Sequence, residues 1–450
     1  MSENGVIKIK RGFDIKLVGK TNPVIKDLPL SEIVAVKPTD FLEVIPKMLV
    51  QAGDEVKAGD HLFYEKDRPE LKFTAPVSGE IVEIFRGEKR KILEVRILAD
   101  KDQKYRDFSA RTSQPLTRDS VTEVLLDSGA WNMIRQRPFS TIAKVDDTPK
   151  GIFISCFDSA PLAPDLNLVI LQNKDAFEAG IRVLQAFNVP IHLSLRNNVT
   201  GNEVFNSVKG VKIHYFEGPH PAGNVGIQIH HISPIRPGEV VWYLDPQQVV
   251  TIGNLFTNGI YKPERIVSLS GSEVKETAYY RTIVGNSYNG ILEGNVNEGY
   301  NRYILGNVLT GQHVKAEGFI GFYDQQITVI PESSESEFLG WLLPGFHKLS
   351  LSRTFFSWLN KDKEYRLNSS QNGEERAFVV TGEYEKVLPM NIMPVQLLKA
   401  ILAKDFEMME KLGIYEISEE DFALCEFVCT SKMPVQQIVS RGLDIMRKEG

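Results

Sequence analysis

The sequence predicts a multidomain α/β protein, because different hydrophobic patterns follow one another along its 450 residues. Residues 1–100 alternate apolar and polar positions between glycine turns, which is typical of a barrel-sandwich β domain. Residues 101–255 alternate strand-length and helix-length segments, which predicts a Rossmann-like α/β domain with a mainly parallel sheet. Residues 256–330 are glycine-rich and strand-like, as in a small β-grasp domain of the soluble-ligand-binding type. Residues 331–450 are expected to form a linker and a C-terminal helical domain.

The composition argues against two classes of protein. The net charge of −6 and the sequence pI near 5.9 disfavour a nucleic-acid surface, and no stretch concentrates Lys and Arg as phosphate binding requires. No window approaches the ~18 uninterrupted apolar residues that span a bilayer, so we expect any membrane contact to be indirect. Three cysteines are too few for a disulfide framework, and the charged N-terminus does not resemble a signal peptide. Together these observations predict a cytoplasmic location.

The clearest local pattern is the β module of residues 49–98. Two Ala-Gly-Asp turns precede an Ala-Pro-Val-Ser-Gly segment at 75–79, an order that resembles the modules carrying lipoyl or biotinyl groups. Arg68 stands where such a module has its acceptor lysine, and a guanidinium cannot act as the amine nucleophile. Lys66, two residues before Arg68, is the remaining candidate for modification. We therefore expect a scaffold that residues 1–45 help to complete.

The next region predicts a series of βαβ units. Residues 175–187 have helical spacing, and the strand-length apolar segments are residues 151–156, 166–171, 191–195 and 211–216. Residues 218–237 contain four prolines and are expected to form an irregular crossover. His220, His230 and His231 lie within it. We interpret them as hydrogen-bonding or packing histidines rather than metal ligands, because the adjacent pair would point to opposite faces of an extended segment.

The C-terminal part combines an aromatic cluster with helices. The aromatic residues of 338–346 and 355–359 form either core or an exposed interface, and the sequence does not separate the two. A helical run begins at Pro394 and is expected to end at Gly413.

Beyond this run, Ser418 and Asp421 have the spacing of an N-terminal cap. Cys425 and Cys429 share a helix face, and we interpret them as buried thiols rather than ligands of an Fe–S cluster, which usually takes four cysteines.

The order of these pieces resembles the A-subunit family of the bacterial Na+-translocating NADH:quinone reductases (Nqr). The resemblance covers essentially the whole chain. It rests on GFD at 12–14, FTAPVSG at 73–79, RQRPFS at 135–140, GPHPAG at 218–223, LSG at 269–271 and EDFALCEFVC at 420–429.

That family is similar to the C subunit of Rnf complexes and to the NADH-binding flavoprotein subunit of complex I. The resemblance implies that the glycine-rich cofactor loop of those relatives matches residues 128–131 here, with Arg135 and Arg137 where small residues are needed. It also implies that only Cys425 and Cys429 remain of their cluster cysteines. The expected protein therefore binds no flavin, Fe–S cluster or covalent cofactor of its own, and NADH and flavins bind to partner subunits.

The resemblance implies a peripheral subunit on the cytoplasmic face of the bacterial inner membrane. The complex couples NADH oxidation and ubiquinone reduction to sodium export, and its other Nqr subunits are the expected partners. A quinone site needs an apolar slot and hydrogen-bond donors, which Trp131, Arg135, Arg137 and Phe139 can supply. The alternative is that Trp131 and Phe139 belong to the core while the arginines bind carboxylates. No catalytic residue or metal ligand is predicted.

Two further functions stay open at this point. The first is a self-contained soluble NADH or flavin oxidoreductase, which would be coloured by its bound cofactor. The second is a carrier module modified at Lys66, which would have a mass above that of the unmodified chain.

Overall fold

The computed structural model describes residues 5–333, 344–351, 353–360 and 362–449. Part of the predicted aromatic cluster, residues 338–343, lies outside the described residues. Within the described ranges the structure has several β-sheets with helices on and between them, which confirms the mixed α/β class.

The strands are numbered β1 to β19 in chain order. They are Val6–Lys8, Ile25–Asp27, Ile33–Val36, Pro46–Met48, Glu55–Val56, His61–Glu65, Lys72–Thr74, Gly79–Arg86, Ile92–Ala99, Arg135–Arg137, Ile152–Ser155, Ile191–Arg196, Lys212–Glu217, Val241–Leu244, Glu264–Ser270, Ala278–Ile283, Asn301–Leu305, Gln312–Val314 and Gln326–Pro331.

The helices are numbered α1 to α13 in the same way. They are Ser109–Thr112, Arg118–Ser128, Leu166–Leu171, Lys174–Gln185, Glu203–Asn206, Val225–Ile232, Pro246–Asn258, Asn289–Leu292, Tyr384–Val387, Pro394–Ala403, Phe406–Lys411, Ala423–Val428 and Val435–Glu449.

The β module consists of two small sheets that share a core. One has the order β3-β9-β8-β5 and the other has the order β4-β6-β7. Alternate side chains point inwards, so that Phe63, Phe73, Ile81 and Ile97 are almost fully buried and the two phenylalanine rings stack 4.6 Å apart.

The expectation that residues 1–45 complete this module is only partly correct. Strand β3 does join it, but β1 pairs with β13 of the α/β sheet and β2 pairs with β16 of a third sheet. Short alternating strands fit any exposed sheet edge, so their pattern does not reveal which edge they join. The N-terminal segment therefore connects three parts of the molecule.

The α/β sheet has the order β1-β13-β12-β11-β14-β10, and only β10 runs antiparallel to its neighbour. The mainly parallel sheet predicted from the βαβ pattern is thus confirmed. Helices α4 and α7 pack closely against each other. They are so close that a Cβ at Gly253 would overlap the carbonyl oxygen of Ala176. This close approach explains a glycine in the middle of a helix.

Two predictions for this region are wrong. Residues 166–171 form helix α3 rather than a strand, with the side chain of Asp165 accepting a hydrogen bond from the Asn167 amide. A six-residue apolar run fits a buried helix as well as a buried strand, and the cap decides between them. The crossover at 218–237 is also not wholly irregular, since Val225–Ile232 is helix α6.

The third sheet has the order β18-β17-β19-β15-β16-β2 and is mixed. Its core contains Val267, Leu269 and Val329, all fully buried. The glycine turns predicted between its strands are present, and Gly271, Gly285 and Gly306 have positive φ angles.

The C-terminal region is helical as predicted, but the run from Pro394 is interrupted. Lys404 adopts a left-handed conformation that ends α10, and the side chain of Asp405 then caps α11 at the Met408 amide. The predicted cap at Ser418 and Asp421 is confirmed, with the Asp421 carboxylate accepting a 2.9 Å hydrogen bond from the Ser418 amide. In the described part of the chain, no helix is long and apolar enough to span a membrane.

Candidate functional site

The predicted site residues lie on one short segment at the edge of the α/β sheet. A turn of 3-10 helix at Ala130–Met133 leads into β10, which pairs antiparallel with β14. A cis peptide bond joins Arg137 to Pro138, and Phe139 follows with a φ of 79°. The chain reverses after β10, and the Gln136 amide donates a 2.8 Å hydrogen bond to the Thr141 carbonyl.

Trp131 lies in the core. Its side chain is 1% exposed, and its indole N–H donates a 2.9 Å hydrogen bond to the Ala143 carbonyl. The rings of Phe187 and Trp242 meet it edge to face at 5.9 and 5.5 Å. These contacts satisfy both the apolar ring and its one polar atom.

Arg135 lies between two tyrosine rings. Its guanidinium carbon is 4.6 Å from the ring centre of Tyr243 and 4.5 Å from that of Tyr323. The Tyr323 hydroxyl donates a 2.7 Å hydrogen bond to the Asn132 carbonyl, which holds that ring in place. Burial disfavours the charged form of Arg135, but the neighbouring tyrosines and carboxylates outweigh it, and the pKa is raised. Its Nε has no hydrogen-bond partner among the described residues.

Arg137 is the most enclosed charge of the segment, with 1% exposure. One terminal nitrogen lies 2.6 Å from the Glu420 carboxylate and the other 3.4 Å from that of Asp421. Burial works against its charge, but the attraction of Asp421, Tyr243 and Glu420 outweighs burial, so that its pKa is raised and it remains protonated. Burial also raises the pKa of Asp421, against the opposing pull of Arg137.

Phe139 is half-buried and contacts the C-terminal region. Its ring meets that of Tyr415 edge to face, with the centres 6.0 Å apart. The structure thus brings Arg135 and Arg137 together beside Tyr243, since residues two apart on a strand share a face. Trp131 lies apart in the core.

We call Arg135, Arg137, Tyr243, Glu420 and Asp421 the arginine cluster. Its tyrosine and carboxylates were not identified from the sequence. The sequence indicated Asp421 only as a helix cap. In the structure one oxygen of its carboxylate accepts a hydrogen bond from the Ser418 amide and also faces the Arg137 guanidinium. The cluster contains no nucleophile beside a general base. Its chemistry is to present cationic N–H donors and aromatic faces.

The segment 128–132, for which the resemblance implied a lost cofactor loop, is packed against the β module. Gly129 ends α2 with a φ of 77°, and a Cβ there would lie 2.6 Å from the Thr74 hydroxyl. Thr74 donates a 2.9 Å hydrogen bond to the Ser128 carbonyl, and the Asn132 side chain donates one of 2.8 Å to the Lys72 carbonyl. Strand β7 therefore covers residues 128–132.

The other candidate residues have ordinary structural contacts. His230 lies 2.7 Å from the Glu416 carboxylate, His231 lies 3.0 Å from the Pro389 carbonyl, and His220 lies 3.0 Å from the Ser159 hydroxyl. These hydrogen bonds give all three histidines structural partners. His230 and His231 lie in helix α6, so the extended segment from which their interpretation was argued is not present. Within residues 5–333 and the described parts beyond, no three His, Cys, Asp or Glu side chains are grouped to hold a metal ion.

The tip of the β module has an exposed Lys66 and a partly buried Arg68. Arg68 lies 3.6 Å from the Glu65 carboxylate and 3.4 Å from the Ile142 carbonyl, so it links the tip to the segment after β10. The three cysteines are all buried, and Cys429 accepts a 2.8 Å hydrogen bond from the Tyr384 hydroxyl.

Fold and site together define a class: a multidomain protein in which a barrel-sandwich module and a C-terminal helical region pack on an α/β domain. Family models match three stretches of the chain. Residues 7–100 match the "NqrA N-terminal barrel-sandwich hybrid domain", residues 116–261 match the "NqrA second alpha/beta domain", and residues 266–316 match the "NQRA C-terminal domain".

Curated relatives match over the full length. The A subunits of the Na(+)-translocating NADH-quinone reductases of Haemophilus influenzae (strain 86-028NP) and Pasteurella multocida (strain Pm70) are each 37% identical over 99% of this chain and 100% of their own. The A subunit from Glaesserella parasuis serovar 5 (strain SH0165) is 39% identical with the same coverage. The chain therefore belongs to the A-subunit family of Na+-translocating NADH-quinone reductases, as the sequence motifs predicted.

A solved structure, "NAD+-reducing [NiFe]-hydrogenase in the air-oxidized state", is similar with a TM-score of 0.39 at 12% identity, over 76% of this chain and 64% of its own. No functional likeness follows at that distance.

Proposed function

We propose that the chain works as the A subunit of a Na+-translocating NADH-quinone reductase, an oxidoreductase complex that couples electron transfer from NADH to quinone with sodium export. The observation that carries this proposal is the match at 37% to 39% identity, which covers the whole length of the relatives. The other subunits are its partners. The chain is attached to the cytoplasmic face of the membrane through those partner subunits.

The test is a membrane preparation from cells in which the chain carries an affinity tag. Purification in mild detergent is expected to recover membrane-integral partner subunits with it, and membranes lacking the chain are expected to lose sodium-stimulated NADH:quinone reductase activity. Full activity in membranes that lack the chain would contradict the proposal.

The chain is proposed to bind neither flavin nor an Fe–S cluster, with NADH and flavins bound by partner subunits. Packing of β7 over residues 128–132 supports this, because it leaves the Gly129 turn facing Thr74 rather than open to a phosphate. A visible absorbance spectrum of the purified chain tests it, since bound flavin would favour the alternative of a self-contained oxidoreductase. An intact mass above that of the unmodified sequence would instead favour a carrier modified at Lys66.

A ubiquinone contact is proposed at the segment that holds Trp131, Arg135, Arg137 and Phe139. The contacts of the four residues support two different roles, with Arg135 and Phe139 contacting the quinone and Trp131 and Arg137 fixing the position of the segment. Among the described residues the Nε of Arg135 has no hydrogen-bond partner, and its guanidinium lies between aromatic faces, while Phe139 is half-buried. Trp131 and Arg137 are buried and hold the segment through a hydrogen bond to Ala143 and an ion pair with Glu420.

The test of this contact is photoaffinity labelling of the complex with a quinone analogue. Labelling is expected in peptides that contain residues 131–139, and Arg135→Leu is expected to reduce it. Arg302→Leu, which changes an arginine on the third sheet, is the matched control. Labelling confined to distant peptides would exclude the contact.

The finer fold assignments are also proposals. We propose domain boundaries near residues 100, 255 and 330, and we assign the third sheet to the β-grasp type. The family-model matches to residues 7–100, 116–261 and 266–316 support these boundaries. Limited proteolysis with mass-spectrometric mapping tests them, since early cuts should cluster near the three boundaries.

A further inference from the structure

The segment after the third sheet carries a group of large apolar side chains that face solvent. Phe346 is 56% exposed, Phe356 55%, Trp358 40% and Leu359 66%. The alternatives that the sequence left open for this cluster were core and interface, and for these described residues the structure favours the second. Three of them, Phe346, Phe356 and Leu359, line a hollow of about 290 Å³ together with Lys363.

Basic side chains lie among these rings. The Arg353 guanidinium is 5.4 Å from the Trp358 ring centre, and the Lys348 ammonium is 5.5 Å from that of Phe355. Lys363 lies at the rim of the hollow and 5.7 Å from the Tyr365 ring centre. Residues 344–365 contain four basic residues, Lys348, Arg353, Lys361 and Lys363, against two acidic ones, Asp362 and Glu364, although acidic residues outnumber basic ones in the whole chain, 58 to 52. The surface is therefore locally cationic on an acidic protein.

We call this feature the aromatic-basic surface. It consists of Phe346, Lys348, Arg353, Phe356, Trp358, Leu359 and Lys363.

The aromatic-basic surface is held on the folded body. Ser357, in its middle, is buried, and its hydroxyl donates a hydrogen bond to the Lys348 carbonyl. Tyr365 is also buried, and its backbone pairs with that of the N-terminal segment on both sides of Leu17. The exposed rings are therefore anchored to the folded domains through Ser357 and Tyr365.

We propose that the aromatic-basic surface docks directly on an anionic phospholipid surface. Exposed Trp and Phe beside Lys and Arg are the side chains that a bilayer interface prefers, because the rings enter the headgroup layer while the cations meet lipid phosphates. A protein partner is less well matched, since Lys is depleted in protein interfaces. This lipid contact would act beside the proposed attachment through partner subunits, and it does not depend on that attachment.

Co-sedimentation of the purified full chain with vesicles tests the proposal. Vesicles of equal parts phosphatidylcholine and phosphatidylglycerol are expected to bind the chain, whereas vesicles of phosphatidylcholine alone bind it at least about five-fold more weakly. Raising the salt concentration should release it, because the cations act through screened charge.

Three variants locate the contact. Arg353→Glu is expected to weaken binding to the anionic vesicles by at least about five-fold, and the double variant Trp358→Ser with Leu359→Ser by at least about ten-fold. Tyr300→Ser is the matched control, because Tyr300 is 71% exposed in the third sheet region and its loss should leave vesicle binding unchanged. Circular dichroism checks that each variant is folded.

Equal binding to both vesicle types would overturn the proposal, as would wild-type binding by the Trp358 and Leu359 double variant. A third outcome is that the wild-type chain binds neither vesicle type while the Trp358 and Leu359 double variant loses its partner subunits in detergent. The surface is then a protein interface and the lipid proposal fails. Co-purification of the wild-type chain with its partners would in that case still support the proposed function.

Discussion

Arg137 and Asp421 are 284 positions apart in the sequence, and their side chains meet at 3.4 Å in the interior. Arg137 belongs to the edge strand of the α/β sheet, whereas Asp421 belongs to the cap before α12. The contact therefore joins the C-terminal helices to the domain that carries the predicted site. Both groups are almost fully enclosed, and Arg137 is the cation that faces the buried Asp421 carboxylate, while Glu420 also pairs with Arg137 at 2.6 Å.

Replacing Arg137 by Met should lower the free energy of unfolding by about 3–5 kcal/mol, because it leaves the Asp421 carboxylate buried without its cation. Urea unfolding followed by circular dichroism measures the loss. The double variant Arg137→Met with Asp421→Asn should recover part of it, since the amide keeps an acceptor for the Ser418 cap. Arg441→Met, at an exposed arginine, is the control and should change little. Similar results for Arg137→Met and the control would refute this account of the contact.

Packing of the β module on the α/β domain is tested at Gly129. An alanine there meets two penalties: the left-handed backbone costs about 1–2 kcal/mol, and its Cβ overlaps Thr74. Gly53 has a similar φ of 92° and nothing within 4 Å of a Cβ, so Gly53→Ala measures the backbone term alone. We expect Gly129→Ala to lower the thermal midpoint clearly more than Gly53→Ala.

Adding Thr74→Ala to Gly129→Ala separates the two penalties further, because it removes the side-chain atoms nearest the new Cβ. A smaller loss in the double variant than the sum of the two single variants would show that the clash is real. Equal effects of alanine at Gly53 and Gly129 would mean that the two domains do not pack closely there.

Local chemistry accounts for what the sequence revealed. The cap at Ser418 follows from side chains three residues apart, and the parallel sheet follows from alternating strand and helix lengths. Residues 166–171 were assigned wrongly because an apolar run of that length has no period to distinguish helix from strand. The arginine cluster could not be predicted from the sequence, because its members come from segments that are far apart along the chain. Even the pairing of Arg135 with Tyr243 is a property of strand register rather than of local sequence.

A pH-dependent contribution to stability is expected from Asp40. Its carboxylate accepts a 2.8 Å hydrogen bond from the Phe322 amide, across the contact between the β module and the third sheet. Burial raises its pKa from 3.8 to about 6, while Lys37 opposes the shift. Because the folded state binds the proton more tightly, the stabilisation is complete below pH 3.8 and disappears as the pH rises through 6.

Asp40→Asn removes this titration. Between pH 4 and pH 7 the wild type should therefore lose up to about 2 kcal/mol of unfolding free energy relative to the variant. Urea unfolding at several pH values measures it, and the exposed Asp102→Asn serves as the control with no pH-dependent difference. A pH-independent difference for Asp40→Asn would contradict the raised pKa.

The three thiols should be inert in the folded protein. Cys156, Cys425 and Cys429 are at most 2% exposed, and burial raises the pKa of Cys156 and Cys425 well above the ordinary value, which keeps the reactive thiolate scarce. Titration with a chromogenic disulfide reagent is expected to detect no fast-reacting thiol in native buffer and three per chain in guanidinium chloride.

Tyr384→Phe makes this test specific for the C-terminal pair. It removes the hydroxyl that donates to Cys429 but keeps the ring that covers the thiol, so burial alone should still prevent the reaction. Fast labelling of Cys429 in this variant would assign the protection to the hydrogen bond instead. Fast labelling of either cysteine in the wild-type chain would mean that α12 opens readily, which its packing among the buried residues of the C-terminal core argues against.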